Sequence, residues 1–290
     1  MKNNIQVNPI CDSISQEGVR LTTFLCRVPY FILAQLNTHR LFCRNAASMR
    51  AIPTKKLIEQ VRNDPYIPTT FGKNQRGMHA VESISEQDSH EARIVWECAA
   101  RDACYHAEKL ARIGSHKQDV NRLLSPYVWI DWLVTATEWD NFLNVRLAGD
   151  VQESTREVAK GIEKGLQTST PTRLEIGDWH VPFGANIPEH YSNDTRIQIA
   201  VARCARLSYM RHDGTQSVDE DLFLYNRLVN DQHLSPLEHV ATPSLHSLLS
   251  PPLRGWTNYR TIVGARRTVQ VGRQNIGAEL TRSRRLMNRL

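Results

Sequence analysis

The 290-residue chain has no uninterrupted apolar run near the ~18–20 residues that a membrane span needs, and the stretch from Met1 to Gln6 lacks the apolar segment of a secretory signal. A cytoplasmic protein without a membrane partner is expected. Its six cysteines (Cys11, Cys26, Cys43, Cys98, Cys104 and Cys204) include no C-x-x-C pair and no zinc-type spacing to histidine, so they read as free thiols and no metal site is expected. Also missing are G-x-G-x-x-G after a strand, G-x-x-x-x-G-K-[ST], H-E-x-x-H and G-x-S-x-G, which excludes a standard Rossmann, P-loop or zincin protein. There is no internal repeat or low-complexity tract. What is present, 41% hydrophobic and 23% charged residues, is the composition of an ordinary globular chain long enough to bury a core.

The formal charge of +6 is uneven. Residues 251–290 hold nine arginines, no lysine and one acid, Glu279, a net +8 that leaves −2 for the first 250 residues. Such a cluster meets nucleic acid, nucleotide phosphates or an acidic partner surface, or it is simply solvated. No interleaved aromatic platform follows Trp256 and Tyr259, so nucleic acid is not the expected partner.

Two blocks are legible, 1–170 and 196–250, joined by a Pro- and Gly-rich connector at 171–195 and followed by the Arg-rich tail at 251–290. Ile5 to Val7 and Leu21 to Val28 predict strands on either side of a turn at Ser15 to Gly18. From Phe31 to Asn37 the pattern is helical. A long helix is expected over about 89–113, with Ala92, Val95, Trp96, Ala99, Ala100, Ala103, Ala107 and Leu110 on its buried stripe and Glu97 paired with Arg101. Another is expected over about 151–166, ending near Gly165. Ser217 to Glu220 reads as a capping box that opens a helix to Asn230.

Chemistry concentrates between Gln35 and Arg50, where three arginines, a histidine, three amides and two hydroxyls occur in sixteen residues without one acid. Arg offers a planar fork of donors, and the missing carboxylates leave the segment open to an anion. On the residues alone, a phosphate or nucleotide site and a solvated loop or interface both stay open.

The segment resembles the signature of the flavin-dependent thymidylate synthases, R-H-R-x-x-S-x-N-x-x-S-x-R, at His39, Arg40, Asn45, Ser48 and Arg50, with Gln35 at the preceding helical glutamine. Thr38 replaces its first arginine, Cys43 its first serine, and Ala46 stands where a glutamate is common. The run from His116 to Pro126 resembles the family's helix with a nucleotide-binding arginine, here Arg122. Thr135 to Arg146 resembles its flavin and substrate segment, and Asp150-Val151-Gln152 opens the following helix. Ala202 to Tyr209 and His233 to His239 are similar to segments that in most members precede the signature, which implies a permuted order.

The resemblance implies an α+β fold, with a mixed or antiparallel sheet flanked by long helices, and a homotetramer whose sites combine several subunits. It implies methylation of dUMP to dTMP with methylenetetrahydrofolate, FAD and NADPH. Arg146 and Arg50 would be catalytic, and Gln35, Ser48, Arg50, Arg122 and Arg146 would hold the nucleotide. His39, Arg40, Asn45, Asn141, Ser208, His233, Ser235 and Glu238 would seat the flavin. The three arginines at 50, 122 and 146 are thus expected to converge. Thr38 and Ala46 motivate another pyrimidine such as dCMP, or a hydroxymethyl product; a nucleic-acid-binding module built on the tail, or a flavin scaffold without turnover, are the other readings.

Overall fold

The computed structural model describes residues 4–77, 80, 82–208, 217–244 and 252–265. A turn closed by Gly18 N–H donating to the Ser15 carbonyl at 3.0 Å, with Gly18 at φ +81°, joins β1 (Gln6–Ile14) to β2 (Arg20–Pro29) as the sequence predicts. Then come α1 (Leu33–Leu36), β3 (Cys43–Ala46), α2 (Thr54–Asn63), α3 (Glu86–Arg112), α4 (Lys117–Val120), β4 (Trp129–Ala136), α5 (Asp140–Arg146), α6 (Glu153–Thr168) and β5 (Thr172–Arg173). The second block supplies α7 (Asn193–Ala205, beginning at the end of the connector), α8 (Val218–Asn230) and β6 (Ala241–Pro243), and the Arg-rich segment supplies β7 (Trp256–Asn258). The main sheet has the order β3-β4-β2-β1-β5, antiparallel except for the parallel β1–β5 pair. It is a mixed sheet in an α+β fold, as expected.

Period-two alternation along the strands divides the core between the two faces of the sheet. On one face Phe24, Cys26, Val28, Trp132 and Val134 pack against α1, α5 and α6. On the other, Leu25 and Leu133 pack against α2, α3 and the 3-10 turns at Asn121–Tyr127. The second block covers the rest of that face, where Leu21 and Cys43 meet Ala241, Leu253 and Trp256. Residues 252–265 of the Arg-rich segment therefore contribute to the folded body, while its residues from 266 onward, together with Tyr209, lie outside the described residues.

Three local expectations are corrected. The helix expected to stop near Gly165 continues to Thr168, because Gly161 and Gly165 are not terminators but contact points. A Cβ on Gly161 would lie 2.6 Å from Val7 Cγ2, and one on Gly165 would overlap the fully buried Phe24 ring. Gly165→Ala should lower stability by about 1–2 kcal/mol in a urea titration, since overpacking of ~1–3 kcal/mol outweighs the ~1 kcal/mol helical gain. An unchanged midpoint would show that Phe24 yields freely.

The long helix buries Ala100, Cys104 and Ala107, but Val95 is 61% exposed. At 1.5 Å per residue its 27 residues span about 40 Å, and the N-terminal half outruns the ten-residue α2 it packs on. Glu97 pairs with Arg93 instead of Arg101, which donates to Cys98 Sγ at 3.0 Å. Finally, Ser217 makes no side-chain cap on α8, whose first turn instead turns Asp221 inward to Arg203 (3.1 Å) and Arg206 (2.9 Å).

Candidate functional site

The signature segment folds as a loop, the edge strand β3 and a second loop, so its residues separate into distinct groups. The first group surrounds Arg146 in the last turn of α5, a position that suits a cation at the helix C-terminus. Its Nε donates to His39 Nε2 at 3.0 Å, and its Nη2 donates to the Gln35 carbonyl at 3.1 Å and to Thr38 Oγ1 at 2.9 Å. Its Nη1 makes no hydrogen bond among the described residues. Thr38, which stands in place of a signature arginine, thereby helps to hold Arg146 and itself donates to the Gln35 carbonyl at 2.7 Å.

Accepting from Arg146 fixes the His39 Nε2 as unprotonated and puts the proton of the neutral ring on Nδ1. Burial pushes its pKa down, and the Arg146 and Arg44 guanidiniums push in the same direction. The ring stacks on Phe42 at 5.6 Å and meets the edge of Phe142 at 4.9 Å. The Gln35 amide is tied at both ends to the start of α6, donating to Gln152 at 2.6 Å and accepting from Thr155 at 2.8 Å.

The second group lies beyond the other end of β3, whose four residues span ~13 Å at ~3.3 Å each. Asn121 donates to the Met49 and Ile52 carbonyls, which brings the loop carrying Ser48 and Arg50 beside the turn carrying Arg122. The Arg50 and Arg122 side chains are exposed and make no hydrogen bond or ion pair among the described residues. Met49 anchors this loop in the core beneath α2 and α3, whereas Arg146 belongs to the α1–α5–α6 layer on the opposite face. No hydrogen bond or shared partner joins Arg50 or Arg122 to Arg146 among the described residues, so within one protomer the structure gives no contact for the convergence expected from the sequence.

The second block lines the edge strand between these groups. Ser208 Oγ accepts from the Ser48 N–H at 2.7 Å, and Asn45 Nδ2 donates to the Cys204 carbonyl at 3.5 Å. In the 3-10 turn Ser235–His239, Glu238 forms an ion pair with Arg260 close to Cys43. Arg40, Asn141, His233 and Ser235 are exposed, with no side-chain hydrogen bond or ion pair among the described residues. Cys43 is 1% exposed, and burial raises its thiol pKa far above the range of a nucleophile.

Sequence reasoning missed four residues that matter to this arrangement. Arg260 was one charge among nine. Asp221 lay just past the capping-box pattern and drew no reading. His180 sits alone in the connector, and His239 carried only its place in the second-block segment; both are fully buried in a hydrogen-bonded chain through Thr23 and Thr135. The pairing of the two strands that carry those threonines was the available signal.

A family model described as thymidylate synthase complementing protein matches residues 18–172. No curated protein matches the chain. Among solved structures, the chain is similar to a UMP/dUMP methylase PolB from Streptomyces cacaoi bound with 5-Br UMP, at 17% identity and a TM-score of 0.47, over 56% of this chain and 88% of that one. The same methylase bound with 5-Br dUMP aligns at 15% identity and a TM-score of 0.46, over 56% and 90%. The matched range runs through both signature groups, from β2 past Arg146 to β5, and leaves the second block outside it. On that match the chain belongs to the thymidylate synthase complementing protein family, the flavin-dependent thymidylate synthases.

Proposed function

We propose that the protein methylates a pyrimidine nucleotide, converting dUMP to dTMP with methylenetetrahydrofolate as carbon donor, FAD as redox carrier and NADPH as reductant. The observation that carries this reading is Arg146: within the family-matched range, a guanidinium is clamped by His39, Gln35 and Thr38 while Nη1 keeps its donors free. A fixed cation of this kind stabilises negative charge developing on a pyrimidine ring.

The donor set suits a flavin dinucleotide. Around β3 it consists of hydroxyls, amides, imidazoles and guanidiniums, and its single acid, Glu238, is neutralised by Arg260. The flavin supplies the hydride, so the protein needs no covalent nucleophile, in keeping with a packed and protonated Cys43. His39, Arg40, Asn45, Asn141, Ser208, His233, Ser235 and Glu238 seat it. Ser48, Arg50 and Arg122 grip the nucleotide phosphate, with Gln35 and Arg146 at the base. Because these groups stand on opposite layers of one protomer, each site is completed between subunits of a homotetramer, one contributing the Arg50 side and another the Arg146 side. The second block then serves as a rearranged segment docked on the signature strand. A nucleotide other than dUMP, such as dCMP, is favoured only by Thr38 and Ala46.

The test is to incubate the purified protein with FAD, NADPH, methylenetetrahydrofolate and either dUMP or dCMP, and to weigh the product. A mass gain of one methyl on dUMP is expected. Arg146→Lys keeps the charge but loses the three-way clamp, and should lower kcat by about 10²-fold. Absence of binding by both nucleotides overturns the reading.

A further inference from the structure

The connector and the second block touch the sheet through a buried polar seam. His180 Nδ1 lies 2.8 Å from Ser13 Oγ and 3.4 Å from Cys11 Sγ; its Nε2 lies 2.8 Å from Thr23 Oγ1. Thr23 Oγ1 lies 2.7 Å from Thr135 Oγ1, and Thr135 Oγ1 lies 2.8 Å from His239 Nδ1. Thr23 and Thr135 are cross-strand partners, and all four residues from His180 to His239 are fully buried. The far nitrogen, His239 Nε2, is buried without a partner among the described residues.

We propose that this chain makes His239 a positioning residue, which fixes the Ser235–Glu238 turn against the edge of the sheet so that Ser235 and Glu238 face the flavin. The inference rests on the function proposed above. Pro236 and Leu237 bury the underside of the turn, but apolar contacts do not set its rotation. The bond from His239 to Thr135 does, one residue away from Glu238.

The proton count makes the chain directional. A neutral imidazole donates once and accepts once, and each threonine hydroxyl has one proton. If His180 donates from Nε2, Thr23 donates to Thr135 and Thr135 donates to His239 Nδ1, which leaves the proton of His239 on Nε2. If His239 donates from Nδ1, every step reverses and His180 carries its proton on Nδ1. Either way the two histidines hold the same tautomer, since one mixed pair strands a buried hydroxyl proton without an acceptor and the other leaves the two threonine oxygens 2.7 Å apart with no proton between them. The second arrangement leaves only a lone pair unpartnered at His239 Nε2, while the first leaves a buried N–H, the rarer kind of orphan. Ser13 also lines a hollow of about 670 Å³, where its hydroxyl can meet water once the His180 Nδ1–H donates to it. Both rings are therefore assigned as Nδ1–H.

Long-range ¹⁵N–¹H correlation spectra of the full-length protein test the relay, with His180→Gln and His239→Gln providing assignments. The expected result is two non-titrating imidazoles with identical Nδ1–H tautomers; opposite tautomers overturn the relay whether or not flavin binds. Flavin affinity tests the positioning. Thr135→Val, which removes only the hydroxyl, should weaken FAD binding at least tenfold, and Thr135→Ser should restore it. Val61→Ala in the core under α2 is the control: matched in lost thermal stability, it should leave FAD affinity within twofold. A Thr135→Val protein that binds FAD like wild type overturns the positioning role. Wild-type protein that binds no FAD at all overturns the proposed function, and the positioning role with it.

Discussion

Lowering the pH from 7 to 5 is expected to remove about 4 kcal/mol of folding stability through two residues, His180 and His239. Burial drives both imidazoles down to a pKa of about 3 from an ordinary 6.5, with the neighbouring His180 adding to the effect at His239. The folded pKa values are depressed, so the unfolded chain binds more protons between about pH 6.5 and 3. Stability is accordingly intact above 6.5 and falls as the pH drops through that window, at up to ~1.4 kcal/mol per unit for each group. Over the interval from 7 to 5 each histidine contributes about 2 kcal/mol. Neither ring is exposed, so solvent does not screen the effect. Urea titrations at the two pH values measure it, and replacing His180 with Gln should remove about half of the slope. Equal midpoints at pH 7 and 5 would mean that the seam opens to water.

Asp221→Ala should cost about 3–5 kcal/mol, because it strands two guanidiniums in the interior. Asp221 is fully buried between Arg203 and Arg206, whose side chains are 8% and 18% exposed. These contacts tie α8 to α7 and to the 3-10 turn Arg206–Ser208, so the damage extends to Ser208 and its bond from the Ser48 N–H. Calorimetry on the variant is the measurement. A loss below 1 kcal/mol would show that water reaches the two arginines and replaces the carboxylate.

Local pattern made much of this molecule readable. The hairpin of β1 and β2 and the helix α3 follow from periodicity and turn residues, which act within a few positions of one another, whereas the α+β class came from the family resemblance. Gly165 was misread because a glycine in a helix looks the same whether it ends the helix or admits a neighbouring ring; only Phe24, far away in sequence, distinguishes the two. The candidate site was legible as a set of donors, since the signature spacing is local. Its division into two layers was not, because that depends on which face of β3 each flanking loop packs upon. His180 had no legible role, as its partners Ser13 and Thr23 are more than 150 residues distant.

The Thr38–Arg146 contact couples the two positions physically. A hydroxyl at 38 accepts from the guanidinium at 2.9 Å, whereas the arginine usual in the signature would bring two like charges together in the same pocket. Restoring the common residue by itself would create repulsion where a bond now exists. In this chain the residue at 38 thus bears directly on how Arg146 is seated, and Thr38→Arg would have to move the Arg146 guanidinium away from the Gln35 carbonyl and His39.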